Sequence, residues 1–159
     1  MKAPKPKYAE ENIRVTKRFN FEMAHALLNY EGPCKNIHGH SYVLEITILG
    51  RPILSKSHPN DGLVIDFTDI KNIVQKEIID HVDHALVINN QSPEKITKHL
   101  FKQYEKVITV PYQPTCENLL IDFKNRLVPL FKGNHKLAAV KLKETKSSWA
   151  EWRLNDNRV

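Results

Sequence analysis

The chain has 159 residues, 41% of them hydrophobic, with 24 Lys and Arg against 18 Asp and Glu and a formal net charge of +6. That length suits one domain with a real core, no apolar run approaches the roughly 20 residues of a membrane helix, residues 1–20 hold no apolar signal region, and two cysteines cannot build a disulfide framework. We therefore expect a cytoplasmic protein with both thiols reduced, whose dispersed basic charge suits a phosphorylated small molecule as well as it does nucleic acid.

Residues 1–12 mix Lys, Pro and Glu without periodicity and are expected to form a flexible arm, with a single domain over residues 13–159. Over residues 14–23, Val15, Phe19, Phe21 and Met23 mostly alternate with polar neighbours, the period of a half-buried strand. His25 shares the parity of Phe19, Phe21 and Met23, and faces the core side if the strand stays regular. Residues 41–50 alternate again, with Tyr42, Leu44, Ile46 and Ile48 on one side, and should pair with the first strand. Residues 51–62 have the composition of turns, and residues 63–67 read as a short strand.

Thr68 and Asp69 can cap a helix whose Ile70, Ile73, Val74 and Ile78 recur at helical spacing as far as His81. Ser92-Pro93-Glu94 reads as the cap and first turn of a second helix reaching Glu105, followed by a short strand over residues 106–110. Pro114-Thr115 precedes a third helix with Leu119, Leu120, Phe123, Leu127 and Leu130 on its apolar side, stopped by Gly133-Asn134. Residues 136–144 alternate through Leu137, then Ala139 or Val140, then Leu142, and residues 149–154 close a hairpin across residues 145–148. Long strands, then helices, then a terminal hairpin, without an internal repeat, predict an α+β fold rather than a doubly wound sheet.

The chemistry is concentrated in His38-Gly39-His40, with Cys34 just upstream and His25 on the preceding strand. Side chains two apart on a strand share a face, so His38 and His40 can reach one ion and a neighbouring strand can deliver His25. Three imidazoles leave one position of a tetrahedral zinc open, as in catalytic sites, and Glu45 or Glu22 are candidate acceptors for their second ring nitrogens. Cys34 has three readings: a fourth metal ligand, an inert thiol, or a proton-transfer group beside the metal, the last being favoured.

Asp83-His84 follows the first helix, where a carboxylate can orient an imidazole for proton transfer. Glu144, at a strand end, is either a surface glutamate or a buried carboxylate that accepts two parallel N–H bonds from a flat, guanidine-like ring edge. Thr115 and Glu117 share that ambiguity, Thr115 being also a good N-cap. His58, His81, His99 and His135 have no comparable arrangement and read as surface or packing residues.

Six segments, Phe21-Glu22-Met23-Ala24-His25, Cys34 through Ser41, Val64-Ile65-Asp66-Phe67, Asp83-His84, Pro114 through Asn118 and Lys143-Glu144-Thr145, stand in an order that resembles the 6-pyruvoyl- and 6-carboxy-tetrahydropterin synthase family. The resemblance implies the tunnelling fold, with two helices on one face of a four-stranded antiparallel sheet, here with an extra helix in the divergent segment 89–113. It further implies homohexamers built as two trimers with active sites between subunits, and zinc on His25, His38 and His40. Cys34, Asp83 and His84 are then the proton-transfer residues, and Glu144 is the pterin anchor beside Thr115 and Glu117.

Three residues separate Cys34 from His38, a spacing similar to that of the bacterial carboxy enzymes. The implied reaction is that of a queuosine-pathway lyase, converting 7,8-dihydroneopterin triphosphate to 6-carboxy-5,6,7,8-tetrahydropterin with loss of acetaldehyde and triphosphate, without nucleic acid or membrane as partner. A 6-pyruvoyl-tetrahydropterin synthase and a non-catalytic zinc or pterin binder are the alternatives. A zinc hydrolase is disfavoured by the lack of a His-Glu-x-x-His pattern.

Overall fold

The computed structural model describes residues 10–157. The arm expected over residues 1–12 therefore lies outside the described residues up to position 9. Two long strands, β1 (Ile13–His25) and β2 (His38–Gly50), pair antiparallel from Ile13 opposite Gly50 to His25 opposite His38. Their two-residue period sends Phe19, Phe21, Met23, Tyr42, Leu44, Ile46 and Ile48 into one buried cluster. Both strands run further than their apolar alternation indicates, so all three histidines of interest sit in extended chain.

The helix expected after residue 67 forms as α1 (Phe67–Val74), which passes through a π-helical stretch, Gln75–Ile79, into a last turn, α2 (Asp80–Val82). Its cap is Asp66, whose carboxylate accepts the Thr68 N–H at 2.6 Å, and not Thr68 or Asp69. The strand expected over residues 63–67 does not form, because Leu63 bonds only to Ile53 and Asn60 in a local turn. Thr115 caps α4 (Cys116–Leu127) as expected, accepting the Asn118 N–H at 3.3 Å, and Val128–Leu130 adds a 3-10 turn.

β5 (His135–Lys143) lies antiparallel to β2, and β6 (Trp149–Arg153) antiparallel to β5. Opposite Thr47 and Ile48 the β5 partners are Ala139 and Leu137, so Ala138 is an extra residue in a bulge. The bulge resets the parity, and Leu137, Val140 and Leu142 all face the core while Ala139 does not.

The sheet has six strands in the order β4-β3-β1-β2-β5-β6, which corrects the expected four-stranded antiparallel sheet. β3 (Ala85–Asn89) runs parallel to β1, and β4 (Val107–Val110) parallel to β3. All five β3 residues are buried, so the segment has no polar alternation to reveal it as a strand. Two parallel neighbours need a crossover, and the divergent middle segment supplies it as α3 (Glu94–Gln103). Its Leu100 packs on Leu86 and Ile88, on the face opposite to α1 and α4, because strand parity puts Ala85 and Val87 in the main core.

That core is centred on Phe123 of α4, edge-on to Phe21 at 6.3 Å, while Phe21 stacks on Tyr42 at 5.2 Å. Phe123 is only 1% exposed and is flanked by Ile70, Val74, Leu119 and Leu127. Truncation to Phe123→Ala is expected to destabilise the fold by about 3–5 kcal/mol in urea unfolding. A loss below about 1 kcal/mol would show that the ring is not packed as described.

Candidate metal centre

The β1–β2 register brings the three histidines together without help from a loop. His25 stands opposite His38, and Met23 opposite His40, at the end of the helix-covered face of the sheet. Gly39 allows the close approach, since a side chain there would come within 3.3 Å of the Met23 carbonyl oxygen. The ligand nitrogens of His25, His38 and His40 lie within 4.8 Å of one another, so the three residues can hold a metal ion.

Their tautomers are prepared for that role. His25 Nδ1 donates to the Pro114 carbonyl at 2.6 Å, and His38 Nδ1 to the Asn36 carbonyl at 2.8 Å. Each bond leaves Nε2 with its lone pair. His25 is 3% exposed, and its Nε2 is a buried nitrogen with no hydrogen-bond partner among the described residues. An orphaned buried acceptor is costly unless something binds it, and a cation shared with His38 and His40 would satisfy it. Burial holds the His25 imidazole below its ordinary range, helped by the two other histidines and opposed by the Pro114 bond and Glu144.

The acceptors behind the rings are backbone carbonyls, not Glu45 or Glu22. Glu45 is engaged with Arg18 at 2.8 Å and Lys143 at 3.7 Å, and Glu22 accepts the Ser41 hydroxyl at 2.8 Å. Pro114 is held in turn by Gln113, whose amide bonds both the N–H and the carbonyl of Leu28. Gln113 and Pro114 are contributors that residue-type reasoning missed, because a backbone carbonyl leaves no signature in side-chain chemistry.

Glu144 follows β5 on the parity of Leu142 and reaches the same cluster. Its Oε1 accepts the Tyr42 hydroxyl at 3.0 Å and lies 3.5 Å from His25 Nε2 and 3.8 Å from His40 Nε2. Tyr42 was read only as a core residue. It is fully buried, and burial, then Glu144, push its phenol far above the ordinary range, with a further contribution from the nearby Cys34. Cys34 is half-buried in an otherwise exposed 3-10 turn (Pro33–Lys35), its carbonyl accepts the Leu27 N–H at 2.9 Å, and its thiol is outside the three-nitrogen group.

Both cysteines are free thiols. Cys116 is buried and pushed up to about 11, chiefly by burial. Thr115 spends its hydroxyl on the helix cap, while Glu117 is exposed in the first turn of α4. His58, His81 and His99 are exposed and His135 half-buried, in keeping with surface or packing roles.

Asp83 and His84 end the α1–α2 segment and touch each other, His84 Nδ1 lying 3.0 Å from Asp83 Oδ1. Burial raises the Asp83 carboxyl, but the Glu22 N–H at 2.9 Å and the adjacent imidazole outweigh it and hold the group below the usual carboxylate range. His84 borders a cavity of about 900 Å³ with Glu22, Ala24, Ser41, Leu86 and Lys106. Those strand residues carry the parity opposite to Met23, Tyr42 and Val87, while His40, opposite Met23, borders the same cavity. Within one chain, therefore, the Asp83–His84 pair is on the sheet face opposite to His25, and the cavity it borders is shared with His40 of the cluster.

A mixed sheet with a three-histidine metal-type cluster at its end is the class of protein that fold and site define. Across residues 14–155 the chain matches the family model described as 6-pyruvoyl tetrahydropterin synthase, and it belongs to that family. It is 37% identical over 145 residues to a Haemophilus influenzae protein named 6-carboxy-5,6,7,8-tetrahydropterin synthase, covering 89% of this chain and 99% of the relative. A protein of the same name from Aquifex aeolicus is 35% identical, with 87% and 96% covered.

Among solved structures, an uncharacterized protein from Wolinella succinogenes superposes with a TM-score of 0.69 at 21% identity, covering 91% of this chain and 99% of that one. The 6-pyruvoyl tetrahydropterin synthase of Caenorhabditis elegans gives 0.63 at 21% identity, covering 90% and 96%. These two share the fold. No helix among the described residues is long and apolar enough to cross a membrane.

Proposed function

We propose that the protein, as one synthase domain over residues 13–159, is a zinc-dependent lyase of the cytoplasm. It converts 7,8-dihydroneopterin triphosphate and water to 6-carboxy-5,6,7,8-tetrahydropterin, acetaldehyde and triphosphate, a step of queuosine biosynthesis. The observation that carries the reading is the buried, partnerless Nε2 of His25 converging with His38 and His40. The shared family and the names of the similar bacterial proteins support the substrate class.

His25, His38 and His40 would hold the zinc, which supplies Lewis acidity toward the side-chain oxygens of the substrate. Cys34, beside the cluster but not in it, is the group that takes a proton from the substrate side chain. Glu144 accepts N–H bonds from the pterin ring edge, its position set by the Tyr42 hydroxyl. Thr115 and Glu117 would contact the same substrate, Thr115 directly following the carbonyl that orients His25.

Asp83 and His84 return protons, and their place on the far face of the sheet fits a site completed by a neighbouring subunit, as in a homohexamer of two trimers. A non-catalytic zinc or pterin binder is the reading that the same separation favours if the chain works alone. The 6-pyruvoyl enzyme remains the nearer alternative, because the family model carries that description.

Incubating the zinc-loaded protein with dihydroneopterin triphosphate and identifying the products separates the three. Acetaldehyde together with the 6-carboxy product is expected. A 6-pyruvoyl product moves the assignment to the sister reaction, and unchanged substrate moves it to binding.

A further inference from the structure

Adjacent residues in sequence ordinarily point their side chains apart, so contact between Asp83 and His84 needs an explanation. It comes from the backbone: His84 has a φ of 59°, a left-handed conformation that is strained for a residue with a Cβ. The peptide joining the two residues is fixed at both ends. Its N–H, on His84, donates to the Glu22 carbonyl at 2.6 Å, and its carbonyl, on Asp83, accepts from Lys106 Nζ at 2.5 Å. The same ammonium reaches the Asp80 carbonyl at 3.0 Å, in the last turn of the continuous α1–α2 segment, where a cation is favoured.

The Glu22 clamps are backbone atoms, which no side-chain substitution removes. Lys106 is different. It lies between α3 and β4, its own carbonyl accepts the Leu86 N–H at 2.9 Å, and its ammonium is, among the described residues, the one side-chain hold on that peptide. An ionised Asp83 can only accept, so the 3.0 Å contact makes Nδ1 of His84 the donor and Nε2 the nitrogen that exchanges protons.

We propose that Lys106 is a positioning residue, whose ammonium locks the Asp83–His84 peptide and thereby holds the His84 imidazole in the Nδ1–H tautomer against its own neighbour. The consequence for turnover rests on the reading of Asp83 and His84 as a proton-transfer pair; the tautomer does not. The other titratable groups that border the cavity with His84 are Glu22, His40, Tyr104, Glu105 and Lys106 itself.

The test uses the full-length, zinc-loaded chain labelled with ¹⁵N-histidine, as wild type, Lys106→Met, Lys106→Gln and Lys106→Arg, with imidazole ¹⁵N shifts recorded at a pH above the histidine range. Wild type and Lys106→Arg are expected to show His84 as the Nδ1–H tautomer, and the other two variants to shift it toward the Nε2–H form that free imidazole prefers. With dihydroneopterin triphosphate, kcat of Lys106→Met should fall about tenfold with KM within about twofold, and arginine should restore most of it. The proposal is overturned if Lys106→Met and Lys106→Gln keep the Nδ1–H tautomer. His84→Ala is the control on the underlying reading: wild-type turnover in that variant removes the proton-transfer role of the pair, while the tautomer result still decides the role of Lys106.

Discussion

Replacing His40 by alanine is expected to lower bound metal to less than about a tenth of an equivalent per chain and turnover by about a thousandfold. Loss of a second-sphere partner typically costs 10–100-fold in affinity or activity, and loss of a direct ligand from a three-ligand set should exceed it. His40 is the informative position because, among the described residues, no hydrogen bond fixes its ring. His25→Ala would also orphan the Pro114 carbonyl and open a hole at a residue only 3% exposed. Metal content after dialysis is the direct measurement. Thermal unfolding is the second, since a metal bound only by the native state raises the melting temperature of wild type and not of His40→Ala. A variant that keeps one metal per chain and near-normal turnover would show that the three nitrogens are not the metal centre.

Cys34→Ala is expected to do the opposite: keep its full metal complement and lose activity by about 10²–10⁴, the range of a missing general acid or base. The basis is positional. The Cys34 thiol is outside the group formed by His25, His38 and His40, yet stands only four residues before His38. Loss of metal together with activity would make Cys34 a ligand, and retention of both would make it inert. The second thiol does not confuse the measurement, because Cys116 is buried and donates to the Leu142 carbonyl at 3.3 Å.

The long strands and the helices of the main core could be read from periodicity, because β1 and β2 each bury one face and α4 buries one stripe. β3 could not, since a parallel strand buried on both faces has no alternation. The four-stranded sheet is what the family resemblance implies, and the structure has six strands because β3 and β4 add in parallel beside β1. The register of β5 was ambiguous between Ala139 and Val140 until the bulge at Ala138 fixed it. The Asp66 cap was masked by two other capping residue types directly after it.

For the site, residue type and spacing by themselves marked the metal-type triad, because strand parity places His38 and His40 on one face and His25 on the core side of its own strand, while the β1–β2 register brought the two strands' histidines together. They also marked Cys34, Asp83-His84 and Glu144 as the polar groups of interest. Tertiary structure alone decided which of these meet. It closed Tyr42 onto Glu144 and the Pro114 carbonyl onto His25, and it put Asp83-His84 across the sheet with Lys106 on their shared peptide. The physical reason is the range of the interactions: a strand's period fixes neighbours two residues apart, whereas contacts between residues 89 or 102 positions apart depend on how sheet and helices pack.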